Sequence, residues 1–253
     1  MTTLRFSRTL DTKMRLASPD LARALDRFWG HPDLARLFPS RLFRMHCEAR
    51  ATVHLLSAAI TALESTPDDP LSAPLVEYLT RLRHEEEGHD DWVLRSLEAL
   101  DIPRDAVLAR IPPPTTAAMV GAQYYWIYHH HPVALLGFIK VAENDPPTVP
   151  AIEDVMKRSG LPRGAFTYHL GHVALEPEHN AALDQILDTL PFTDAQRSAI
   201  GVNVIQTVHL LARSVEESVI LFEAGHRDGV GTLARQSRQE RSPVHDGYAT
   251  LLF

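Results

Sequence analysis

A chain of 253 residues, 45% hydrophobic and 23% charged, has the apolar content for one sizeable core, so a single globular domain is expected rather than a disordered chain. A formal net charge of −7 and only three lysines (Lys13, Lys140 and Lys157) argue against a nucleic-acid partner, whose phosphates need clustered cations. Cys47 is the sole cysteine, which excludes an internal disulfide and a thiolate-rich zinc site and fits a reducing cytoplasm. No apolar run has signal-peptide or membrane-span length.

Apolar residues recur at three- and four-residue steps, and alternating β-branched runs are scarce, so the fold class is all-α. Helices are expected over residues 18–29, 40–64, 71–100, 115–130, 132–144, 148–159, 163–189 and 194–224. The breaks fall at "STPDDP", "IPPPTT", "NDPP", "LPFTD" and His131-Pro132, because proline cannot continue a helix interior. Residues 1–230 then form one helical metal-binding domain and 231–253 a C-terminal tail.

In the helix over 40–64, His46 shares a stripe with Leu42, Ala49, Val53, Leu56 and Ile60. Glu48 shares another with Met45, Thr52, Leu55 and Ala59, and either residue can complete a polar site or stay structural. Over 71–100 the stripe Leu75, Leu79, Leu82, Val93, Leu97, Leu100 is interrupted by Glu86 and His89, whereas Glu85, Glu87, Asp90 and Asp91 point off it toward solvent. Tyr124, Tyr125 and Trp126 can line a pocket or supply electrons, with core packing the simpler role. In "HPVALLGFIKVAEN" the acid Glu143 closes an otherwise apolar helix. Lys140, one turn earlier, can pair with it, bind a substrate carboxylate or lie on the surface.

The segment "HLGHVALEPEHN" places His169, His172, Glu176 and His179 where leucines are expected, above an ordinary Leu183, Ile186, Leu190 stripe. At about 100° per residue, positions 172, 176 and 179 fall within an arc of about 60°. His172 and His179 are two turns apart, roughly 10 Å, too far to share one ion easily. Glu176 lies one turn from each, so two cations with a carboxylate near both is the natural arrangement. Buried acids and imidazoles at this density are costly unless cations compensate them. Pro177 is expected to kink the segment. His169 is placed in the core or behind the ligands.

Two Glu-x-x-His pairs, Glu86/His89 and Glu176/His179, with Glu143 and His172, make a carboxylate-rich, thiolate-free set suited to iron or manganese. The order Glu, Glu-x-x-His, Glu, Glu-x-x-His also suits a ferritin-like four-helix bundle, to which His172 is surplus. With "EEGHDDW", "HPVALLGFIKVAEN" and "HLGHVALEPEH", the chain resembles the haem-oxygenase-like diiron oxidases and oxygenases over roughly residues 40–225.

That resemblance implies a haem-oxygenase-like multi-helix bundle, with Glu86, His89, Glu143, His172, Glu176 and His179 as metal ligands and catalytic residues. Glu48 is a further candidate ligand. It implies two Fe(II)/Fe(III) ions and O2 as co-substrate, acting on a small carboxylate-bearing substrate, amino-acid-derived or a fatty acid, by N-oxygenation, hydroxylation or oxidative C–C cleavage. Glu176 stands where many members have Asp. The competing readings are a ferritin-like iron-binding or ferroxidase protein, and a metal-free enzyme or haem-binding protein of the same fold, similar to TenA or PqqC. The expected partners are a small-molecule substrate and, at most, a second copy in a homodimer, with no nucleic acid and no membrane.

Overall fold

The computed structural model describes residues 5–144 and 147–225, and of residues 174–178 the backbone alone. The described residues form helices and no strand: α1 (Phe6–Ala17), α2 (Pro19–Trp29), α3 (Leu34–Glu64), α4 (Ser72–Glu86), α5 (His89–Glu98), α6 (Arg104–Leu108), α7 (Pro114–His129), α8 (Leu135–Ala142), α9 (Val149–Ser159), α10 (Thr167–Thr189) and α11 (Asp194–Glu223). Short 3₁₀ turns at Pro132–Ala134 and Arg163–Phe166 lead into α8 and α10. The proposed tail, 231–253, lies outside the described residues. No described helix is long and apolar enough to cross a membrane.

Four differences from the sequence expectation stand out. Residues 6–17 are helical, burying Phe6, Leu10 and Met14 at four-residue steps, and Arg104–Leu108 adds a short helix. The single helix expected over 71–100 is two: α4 stops at Glu86, and α5 starts at His89 after Gly88, whose φ of +89° is open to glycine at little cost. α3 begins at Leu34 and runs through Pro39. The carbonyl of Ala35, which loses its amide partner there, belongs to an exposed residue and can turn to water.

α3 and α11, with 31 and 30 residues, are the long members of the bundle. α3 packs on α4, α5 and α7, and α11 on α1, α2, α7 and α8. α11 starts in a capping box, with the Thr193 hydroxyl accepting from the Gln196 amide while Gln196 Oε1 accepts from Thr193 N. Two apolar clusters result. One gathers the far halves of α3 and α10 with α1, α4 and α8; the other gathers the near halves of α3 and α10 with α2, α5 and α9. Along α4–α5 the clusters are separated between Leu82 and Val93, and along α10 between Val173 and Leu183. That waist is where the chain has spent its acids and histidines.

Candidate metal centre

Glu86, the last residue of α4, and His89, the first of α5, are both buried and joined by a 2.9 Å hydrogen bond between Glu86 Oε2 and His89 Nδ1. The i, i+3 spacing predicted their meeting on one helical face; they meet instead around the turn at Gly88. Glu143 caps the C-terminal end of α8 and is buried as well. From α10, His179 Nδ1 sits 3.1 Å from Glu143 Oε2, and the Asn180 side chain donates to the Glu143 carbonyl. The end of α8 is therefore fastened to α10 by both a side-chain and a main-chain contact.

Ligand-type atoms of Glu86, Glu143 and His179 all lie within 4.8 Å of one another, in a buried group able to hold a metal ion. The hydrogen bond to Glu143 raises the His179 pKa above its ordinary value against the opposing effect of burial, and the carboxylates of Glu86 and Glu85 add to the rise. Glu86 Oε1 is buried with no hydrogen-bond partner, 3.9 Å from His179 Nδ1. Two buried carboxylates with one unsatisfied oxygen are a poor hydrophobic core and a good cation cradle. A hard-to-borderline donor set of this kind fits iron.

A second group adjoins the first. The rings of His89 and His172 are 4.7 Å apart, edge to face, and His172 lies 4.2 Å from the Tyr168 ring. Trp92 reaches this place because Gly171 leaves room for it: a Cβ on Gly171 would come within 2.6–2.7 Å of the indole. Trp92 in turn packs on His89 at 4.3 Å. Glu176 falls between the two groups along α10, but its side chain is outside the described set. α10 itself runs as one helix through Pro177, from Thr167 to Thr189.

Other candidates stand elsewhere. Glu48 is held by Arg41, with both carboxylate oxygens 3.2 Å from Nη1, so in this structure its charge is met by a guanidinium. His46 is turned the other way, its Nδ1 3.4 Å from the Asp90 carbonyl. Lys140 offers nothing to a substrate: it is buried, with Nζ 2.8 Å from Asp184 and 3.1 Å from Asp11, tying α8 to α10 and α1. His169 sits in an aromatic cage of Phe38, Phe166 and Trp29, where burial first and the charge of Arg41 second push its pKa down to about 3. Tyr125 is exposed, and Trp126 donates to Gln206 at 2.7 Å.

Sequence reasoning passed over two neighbours of the centre. Glu85, read as solvated, is largely exposed but brings Oε2 to 3.4 Å from His179 Nε2. Tyr168 is partly buried, and desolvation, followed by the charges of Glu86, Glu48 and Glu143, lifts its pKa above the usual phenol range. Counting four residues back from His172 would have found it. Beside His179, a cavity of about 190 Å³ opens between Tyr78, Arg81, Glu85 and Ala182.

The sequence profile of the iron-containing redox enzymes matches residues 43–210. The chain belongs to that family. The match spans α4, α5, α8 and α10, every element that contributes to the buried cluster of this iron-containing redox enzyme. Among solved structures, a domain of unknown function with a heme oxygenase-like fold from Shewanella denitrificans OS217 is similar, at 19% identity and a TM-score of 0.67, over 87% of this chain and 94% of that one. A TenA homolog from Pseudomonas syringae pv. tomato DC3000 is similar at 12% identity and a TM-score of 0.56, over 82% and 92%. At such identities they establish the heme oxygenase-like fold alone. No curated protein matches the sequence.

Proposed function

We propose that this redox enzyme is a non-haem oxidase or oxygenase that uses two irons and O2 on a small carboxylate-bearing molecule, amino-acid-derived or a fatty acid. The observation that carries the reading is the division of the waist into two adjoining groups, Glu86–Glu143–His179 and His89–His172, linked by the Glu86–His89 hydrogen bond. Each group offers imidazole, and Glu86 lies against both. Glu176, on the turn of α10 between His172 and His179, is the sixth ligand. Two ferrous ions held there would supply the electrons and open positions that O2 reduction needs.

The chain's own residues do the rest. Glu86 accepts the His89 Nδ1 proton, which orients that imidazole. Burial of both acids keeps bulk water from the donor atoms. The cavity at His179, of about 190 Å³, holds only the carboxylate end of a substrate, and Arg81 on its wall is the cation available to it. Arg81 is already shared with Glu85 at 3.8 Å, so a substrate acid binds by exchange.

Anaerobic titration of metal-free protein with Fe(II) tests the reading. Saturation at about two equivalents, followed by O2 consumption that small carboxylic acids accelerate, is the expected result. Saturation at one equivalent or none, tight haem binding, or O2 consumption indifferent to every acid tried would overturn it.

A further inference from the structure

Outside the metal centre the structure contains a second cavity, of about 260 Å³, between α3, the α6–α7 connection and Tyr124 of α7. It shares no lining residue with the candidate metal cluster. Its polar wall is one-signed. Arg50, Arg110, His46 and His54 line it and no carboxylate does, in a chain whose net charge is −7. Arg50 is exposed at the rim and makes no ion pair among the described residues. The remaining wall is apolar, chiefly Phe43, Leu108 and Tyr124.

His46 closes the back of this wall. It is 2% exposed, and its Nε2 is buried with no hydrogen-bond partner. Its other nitrogen faces the Asp90 carbonyl, which can only accept, so Nδ1 carries a proton and Nε2 is the atom left over. A carboxylate only accepts and cannot meet that lone pair, so the case for an anion rests on Arg50 and on the lack of carboxylates in the lining.

We infer that this cavity is a second binding site, for a small organic carboxylate with an apolar body. The carboxylate pairs with the Arg50 guanidinium, the geometry that group suits, and the hydrocarbon or ring lies against Phe43, Leu108 and Tyr124. A volume of about 260 Å³ is just below the span of about 300–1,000 Å³ usual for small-molecule sites, which limits the ligand to the size of a single amino acid or aromatic acid. Inorganic phosphate would satisfy the cations and waste the apolar wall. Behind the site His46 reaches the Asp90 carbonyl of α5.

Calorimetric titration of the metal-free full chain with benzoate, hexanoate and inorganic phosphate tests this independently of iron chemistry. One equivalent of benzoate or hexanoate binds, phosphate does not, Arg50→Gln weakens binding at least tenfold, and Ala51→Phe, which fills the cavity, abolishes it. Glu86→Ala, which disables the metal centre, leaves binding unchanged. Arg50 is exposed, so its replacement does not endanger folding, and circular dichroism reports whether the Ala51 variant keeps its helices. The assignment is overturned if neither acid saturates, if Arg50→Gln or a folded Ala51→Phe binds like the wild type, if phosphate binds as tightly, or if Glu86→Ala removes the binding and so moves it to the metal centre.

Discussion

Glu86 and His89 meet across a gap in the helical backbone, their side chains joined at 2.9 Å while the chain between them turns through Gly88 at φ +89°. A helix carrying both residues would present them as a passive i, i+3 pair. Here the turn sets their approach, so the turn is part of the site.

The first expectation follows from that turn. Gly88→Ala places a Cβ in the left-handed region, at roughly 1–2 kcal/mol, although nothing crowds the new atom. Gly160 after α9, at φ +69° and equally uncrowded, is the control. Both alanine variants should lose similar stability in urea, but only Gly88→Ala should weaken Fe(II) binding. Equal iron affinities would detach the turn from the centre.

Glu176 and Glu178 are separated by a rotation of about 200° on α10, and that helix continues through Pro177. Glu176→Ala is expected to cost the iron of at least one position. Glu178→Ala should keep its iron and change stability by no more than about 0.5 kcal/mol. Metal counts on the two purified proteins decide it, and an equal or greater loss from the Glu178 variant would refute the placement.

Lys140 neutralises Asp11 and Asp184 from a buried position. Lys140→Met leaves two facing acids without their cation. Because both acids are partly exposed, the loss should be about 1–3 kcal/mol rather than the larger penalty of a fully buried pair. Thermal unfolding at pH 7 measures it. The further replacement Asp184→Asn should recover part of the loss, and failure to do so would show the lysine acting through packing alone.

His169 gives a pH dependence of known sign. Its folded pKa, pushed down to about 3, lies below its ordinary 6.5, so the native state holds it neutral while the unfolded chain takes up a proton. Its contribution is complete above pH 6.5 and declines as pH falls toward 3, by at most about 1.4 kcal/mol per pH unit. Phenylalanine suits the aromatic cage, so His169→Phe should hold a flatter stability curve than the wild type between pH 7 and 5 in metal-free protein. Parallel curves would contradict the assignment.

The sequence revealed the bundle and most of its helices because their apolar stripes are regular. It hid the α4–α5 break for the same reason: Leu79, Leu82, Glu86, His89 and Val93 keep helical register across Gly88, so periodicity alone sees one helix. The Phe6, Leu10, Met14 stripe of α1 was visible but lay in a polar N-terminal stretch. Glu86, Glu143 and His179 were legible as polar intruders on apolar faces, and they come together in space. Glu48 intruded likewise, but an arginine two turns earlier on its own helix meets it. Spacing along one helix cannot decide which intruder finds a cation and which finds a guanidinium.

The waist between the two apolar clusters has a consequence beyond catalysis. Each half of the bundle is sealed by its own hydrophobic packing, whereas the plane between them holds charge and is only as cohesive as whatever neutralises it. Cations bound there, as proposed, would act as rivets across a seam. With the proposed irons missing, the chain would carry its weakest plane at its centre, and proteases that attack the opened form would clear it faster than the filled protein.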